Sequence, residues 1–373
     1  MLENSMQFKK QKKKRRRSES GILISSIILC IVTLLAITIC MIMVLRYRAV
    51  QMENIAVMNE LEEILMDDTV TYTQDEVDAM VTVAVEAAVN QTSEEVSGEF
   101  LDKMKELMLS GDGTIPMLRY FYPNDIVMAD AGEYYFFPIS DELKHNTYDP
   151  EQFVLDEDHI MNYYENGEKI SHKGIDVSRY QGSIDWEKVA RDDVEYAFIR
   201  LGIRGYTEGA IQEDETFEDN IVGARRNNID VGVYFFTQAT SVQEAEEEAQ
   251  YVLDMIEPYR VDYPVVIDVE TVTNANARTS DLTKEERTQY CIAFCEIIKN
   301  AGYTPMIYGN LKTFMLMLDI EQLEDYDKWF AYYDDHFYFP YDFKVWQYTD
   351  AGKVNGIGKD VDLNISFEDL SDE

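Results

Sequence analysis

Histidine and cysteine are both scarce, with four of each in a chain of 373 residues. The histidines (His145, His159, His172 and His336) are scattered, and none falls on a strand expected in the C-terminal half. That scatter disfavours a zinc site and gives no support to a Ser or Cys nucleophile with a His base. Cys30 and Cys40 sit in an apolar run, where they act as small hydrophobes. Cys291 and Cys295 are four apart in a helical stretch, a spacing poor for a disulfide, so buried free thiols are expected. No cofactor and no structural metal are expected. Basic residues are also rare beyond position 50, with 23 Lys and Arg against 69 Asp and Glu. A body so acidic repels nucleic acid and anionic surfaces at long range, which excludes nucleic-acid binding. Solubility explains this charge better than a specific cationic partner does.

One long stretch carries no charge at all. Gly21 to Leu45 reads GILISSIILCIVTLLAITICMIMVL, long enough as a helix to rise about 37 Å and cross a hydrocarbon core of about 30 Å. A basic tail, residues 1–20, precedes it with Lys9, Lys10, Lys12, Lys13, Lys14, Arg15, Arg16 and Arg17, while only Arg46 and Arg48 follow closely. This asymmetry predicts a single-pass plasma-membrane anchor over 21–45, N-terminus in the cytoplasm and body outside. A cleaved signal peptide is the weaker alternative, because the run is too long and no small-x-small site follows it.

Three regions follow the anchor. Residues 46–114 are predicted to form a helical stalk: Ile55, Met58, Leu61 and Leu65 keep helical spacing, as do Val77, Met80, Val81, Ala84 and Ala88, then Phe100, Met104 and Leu107. Thr73 with Glu76 and Thr92 with Glu95 form capping boxes, and Ser110–Gly113 closes the last helix. Self-association through this stalk is conceivable, but the heptads are broken and a spacer is the default. Residues 115–172 turn aromatic and strand-like and predict a small β-rich module, with hairpins at Asp130-Ala131-Gly132 and Asn166-Gly167. Residues 173–373 alternate strand and helix. Eight short strands are expected at 174–177, 197–201, 231–236, 265–270, 305–308, 329–332, 345–348 and 361–364. Helices capped by Ser241 with Glu244 and by Thr283 with Glu286 lie between them. The fold class is therefore α/β, an irregular (β/α) TIM-like barrel, with chemistry expected at the C-terminal ends of its strands.

Carboxylates stand where core strands rarely accept them: Asp176 in GIDVSRYQG, Asp268 and Glu270 in PVVIDVE, and Asp362 in VDLN. Strand alternation points Asp268 and Glu270 to one side, at the crown of the barrel. Converging carboxyls raise one another's pKa, so one can hold a proton while another stays ionised, as glycosidic-bond hydrolysis requires. An isolated D-x-E is often accidental, and four carboxylates would also suit Ca²⁺ or Mg²⁺.

The motifs GIDVSRYQG, IDW, FIRLG, VGVYFF, PVVIDVE, AGYTPMIYGN, VWQYTD and VDLN, in this order and spacing, resemble the glycoside hydrolase family 25 muramidases over Gly174–Ser366, about half the chain. The resemblance implies hydrolysis of the β-1,4 bond between N-acetylmuramic acid and N-acetylglucosamine in the glycan strands of peptidoglycan. It implies Glu270 as general acid and Asp268 as the carboxylate that stabilises the transition state or orients the substrate's acetamido group. Asp176 and Asp362 match two further acidic positions. Tyr234, Arg200 and Tyr308 are implied as substrate-binding, and Trp346 with Tyr348 resembles an aromatic floor for a sugar ring, with a structural role for Trp346 as an equal alternative. Residues 329–333, WFAYY, fit the family's W-x-A-x-Y. Phe235 departs from the His or Trp common after the strand-end tyrosine, which puts subsite detail in question. Trp186 reads as core packing. A non-catalytic glycan-binding scaffold on the same barrel is the alternative, and the intact Asp268 and Glu270 weigh against it.

Overall fold

The structure, a computed structural model, describes residues 98–371 except 108, 111, 112, 273 and 275. The basic tail, the apolar run at 21–45 and the stalk up to residue 97 lie outside the described residues. Among those described, no helix is long and apolar enough to cross a membrane. The chain divides into two compact units, Met1–Met117 and Leu118–Glu373. Of the first, residues 98–107 are helical.

The second unit is built on a closed eight-stranded barrel. Its strands are β6 (His172–Val177), β7 (Tyr196–Arg204), β9 (Asp230–Phe236), β10 (Val265–Asp268), β11 (Pro305–Asn310), β12 (Asp327–Ala331), β13 (Val345–Gly352) and β14 (Val361–Ser366). They follow in that spatial order, β14 closes on β6, and the short β8 (Ile211–Glu213) adds to the outer edge of β7. All eight strands expected from the sequence are present, although β10 stops at Asp268 and leaves Glu270 just beyond the strand. The neighbours from β6 through β13 pair in parallel, whereas β14 pairs antiparallel with both β13 and β6. The link from β13 to β14 is only residues 353–360, too short for a parallel crossover of a dozen residues. That reversal places the start of β14 at the same mouth as the ends of the other strands.

Helices cover the first half of the barrel. α2 (Trp186–Ala190) and α3 (Phe217–Arg226) flank β7, α4 (Val242–Ile256) follows β9, and α5 (Lys284–Asn300) follows β10. Ser241 caps α4 by accepting from the Glu244 N–H, and Thr283 with Glu286 forms a complete capping box on α5. Gly302 ends the α5 segment at φ +92°, a conformation open to glycine. Trp186 is buried, with Gly223 left bare for its indole ring.

Alternation sorts each strand into two faces. Tyr196, Phe198, Tyr263, Val266, Met306, Trp329 and Val345 fill the barrel interior, separate from the larger core between barrel and helices. Inward-facing Gly174 and Gly232 make room for two of those rings. A Cβ on Gly174 would stand 2.1 Å from Tyr196, and one on Gly232 would stand 2.4 Å from Phe198.

The segment read as a separate β-rich module, 115–172, is not free-standing. It begins with α1 (Thr114–Phe121), which crosses the boundary between the two units. From Leu118 onward the segment shares one core with the barrel, through Ile126, Met128, Leu143, Met161 and Tyr163. Both expected hairpins form. β1 (Asp125–Asp130) and β2 (Glu133–Pro138) turn at Ala131-Gly132, and β4 (Met161–Glu165) and β5 (Glu168–Lys169) turn at Asn166-Gly167, with β3 (Phe153–Leu155) on the other side of β4. All four turn residues have positive φ, the geometry of the type I′ hairpin. The segment buries its aromatics against the helix-poor side of the barrel. Tyr148 stacks on Phe367 at 3.8 Å between ring centroids, and the Tyr338 hydroxyl donates to the Asp125 carbonyl at 2.8 Å. Large apolar side chains left uncovered by helices between β12 and β14 are the physical reason for this docking.

Candidate active site

An open groove of about 470 Å³ lies across the barrel mouth. Asp176, Asp268, Glu270 and Asp362 all line it, with Arg200, Tyr234 and Tyr308. The register explains the convergence. Asp176 on β6 is directly opposite Asp362 on β14, and Asp268 on β10 pairs with Tyr308 on β11. Val265–Ile267 before Asp268 are fully buried, so the strand carries its carboxyl to the rim from a dry core.

Asp268 and Glu270 lie within hydrogen-bonding reach of each other. Two carboxyl groups can make such a contact only if one carries a proton. Burial, then the Glu270 and Asp176 charges, push Asp268 well above the usual carboxylate range; burial also raises Glu270, but the contact with Asp268 and the Arg200 charge lower it, so the shared proton rests on Asp268. Asp268 Oδ1 is buried with no hydrogen-bond partner in the protein. Asp362 is pushed to about 9 by burial and then by Asp176. Asp176 is lifted by burial only to about 6, because Asn364 and Gln347 donate to it. Their amides reach Asp176 Oδ2 at 2.9 and 2.7 Å.

Arg200 supplies positive charge at one wall. Asp214 holds it through Nε at 2.8 Å and a second guanidinium nitrogen at 2.7 Å, and Asp214 is itself fixed by the Arg179 and Thr216 backbone N–H groups. So anchored, Arg200 lowers the carboxyls opposite it, which limits how many can be neutral together. Among the described residues, no group of three or more His, Cys, Asp or Glu could hold a metal ion.

Trp346 and Tyr348 are not in the groove. Both face the outer layer, where Trp346 is fully buried and donates Nε1 to the Tyr332 carbonyl at 2.8 Å, and the Tyr348 hydroxyl accepts from the Met161 N–H at 3.2 Å. On β13 it is Val345 and Gln347 that point inward, so the expected aromatic floor belongs to the opposite parity. Phe235 also faces outward, edge-on to Tyr251, so its departure from the family pattern does not touch the groove; Phe236 lines it instead. Besides Tyr234, Phe236 and Tyr308, the aromatic surfaces that line the groove are Tyr180, Tyr206, Tyr333 and the indole of Trp329. Trp329 and Tyr333 begin and end WFAYY, and that motif was the available signal for them. Gln347 and Asn364 were missed as site residues, although a polar side chain inside an apolar strand demands a buried partner.

The barrel half of the chain is similar to known proteins. The model of the family described as Glycosyl hydrolases family 25 matches residues 175–357. The protein YegX of Escherichia coli (strain K12) is 32% identical over 202 residues, which span 52% of this chain and 68% of YegX. This chain belongs to glycosyl hydrolases family 25. The Autolytic lysozyme of Clostridium acetobutylicum is 26% identical over 198 residues, and this chain spans 55% of that protein's length. Among solved structures, the modular autolysin LytC from Streptococcus pneumoniae matches with 24% identity and a TM-score of 0.48, over 65% of this chain and 56% of that one. As a member of family 25 the chain is a glycoside hydrolase.

Proposed function

We propose that this protein is a membrane-anchored muramidase, cutting the β-1,4 bond between N-acetylmuramic acid and N-acetylglucosamine in peptidoglycan outside the cell. The observation that carries this reading is the convergence of Asp176, Asp268, Glu270 and Asp362 on one groove at the barrel mouth. Glu270 gives the proton it shares with Asp268 to the leaving oxygen. That proton rests on Asp268 and passes to Glu270 on the way, which leaves Asp268 as the anion that stabilises the positive charge at the anomeric carbon or orients the substrate's acetamido group as internal nucleophile. Arg200, Tyr234 and Tyr308 face the substrate from the groove walls. Asp176 sets the charge around the pair, and Asp362 lines the groove beside it.

Anchoring rests on the charge-free run Gly21–Leu45 and the eight basic residues just before it. A catalytic unit tethered this way works on glycan close to the membrane. One experiment tests both parts. Membranes carrying the protein are incubated with purified peptidoglycan, and the fragments are analysed by mass spectrometry. The expected products end in reducing N-acetylmuramic acid, and deleting residues 21–45 moves the activity to the soluble fraction. Reducing N-acetylglucosamine ends would overturn the bond assignment, and activity that stays with the membranes after the deletion would overturn the anchor.

A further inference from the structure

Two side-chain amides in the barrel mouth have their orientation dictated from behind. Asn364 is fully buried, and its Oδ1 accepts from Trp329 Nε1 at 2.8 Å. An indole N–H can only donate, so Asn364 must turn its NH2 the other way, onto Asp176 Oδ2. Gln347 is also buried, and its Oε1 accepts from the hydroxyls of Tyr308 at 2.8 Å and Tyr333 at 2.9 Å. Its NH2 reaches the same Asp176 oxygen. That oxygen therefore meets two N–H donors, an arrangement that suits a carboxylate and not the hydroxyl of a protonated acid.

We propose that Gln347 and Asn364 are positioning residues that hold Asp176 as an anion, and that this fixed charge retains the proton shared by Asp268 and Glu270. The inference rests on the muramidase reading above. Several groups face Asp176 from the surrounding strands: Asp362 on β14, Asp268 on β10 with Glu270 beyond it, Arg200 and Tyr196 on β7, Tyr234 on β9, Tyr308 on β11, and Tyr333. Arg200, the cation among them, is already engaged by Asp214 on two nitrogens. The acidic neighbours respond in the direction required. The Asp176 charge raises both Asp268 and Asp362, whereas Asp176 itself stays near 6 in spite of complete burial. Without its two donors Asp176 would take up a proton more readily, and the pair would release its own at lower pH.

The test is the pH dependence of kcat/KM on peptidoglycan for the full chain, wild type against Gln347→Met and Asn364→Leu. The bell should narrow from both sides, each limb moving by on the order of one pH unit, the scale on which charge-assisted hydrogen bonds shift a carboxyl. Trp329→Phe keeps a ring in the interior but removes the donor behind Asn364. It should move both limbs the same way by less, and it covers the case in which a buried amide variant does not fold. In an Asp176→Asn background, adding Gln347→Met should leave the limbs of the residual activity where they are. Rates lowered evenly across pH with unmoved limbs would overturn the inference and reduce the amides to packing. No hydrolysis by the wild type would contradict the muramidase reading instead, and the two failures are thus distinguishable.

Discussion

Asp362 is a carboxyl that the fold keeps uncharged at neutral pH, since burial and the facing Asp176 hold it near 9. Its pKa in the unfolded chain is about 3.9, so folding at pH 7 takes up a proton. The sign follows from this. The contribution of Asp362 to stability is complete below about pH 4 and declines as pH rises toward 9. Asp362→Asn removes that decline. The variant should melt several degrees above wild type at pH 7, at about 2–4 °C per kcal/mol for a domain of this size, and the two should converge near pH 4. Thermal melts across pH check it, and a variant less stable at pH 7 would contradict it. Asp176, Asp268, Glu270 and Asp362 were legible in the sequence because a charged residue at the end of an apolar strand has few structural reasons to be there. Their protonation was not legible, because it depends on which groups face each other across the mouth.

Parity is the property that decides the elements. In β13 a Trp-x-Tyr pair alternates with a Val-x-Gln pair, and sequence alone offers no reason to prefer either as the inner face. The outcome depends on β14, whose Asn364 pairs in register with Gln347 and completes the amide set around Asp176. The helices were easier to read, since caps such as Ser241 and Thr283 act locally. The role of 118–172 was not legible, because its cover for the barrel comes from contacts some two hundred residues apart, such as Tyr338 with Asp125. Inner-face glycines give the strands their own test. Gly232→Ala would place a methyl 2.4 Å from the Phe198 ring and 2.8 Å from the Pro264 carbonyl, and neither has space to retreat. Such overpacking should cost about 1–3 kcal/mol. Denaturant unfolding measures it, and a neutral result would mean that the interior packs more loosely than described.

As a whole the molecule joins opposed parts: a basic, apolar N-terminal region and a body with a large excess of acid. So large an excess of acid discourages collapse onto an anionic membrane, which is compatible with the anchoring proposed above. The proposed chemistry turns on Glu270, which carries the proton of the shared pair to the leaving oxygen. The most direct measurement compares Glu270→Gln on peptidoglycan and on an aryl β-glycoside of an N-acetylhexosamine whose phenol departs without protonation. Loss of a general acid should slow peptidoglycan hydrolysis by about 10²–10⁴-fold and spare most of the aryl glycoside rate. An equal loss on both substrates would show that Glu270 does not supply the proton, and would contradict the account.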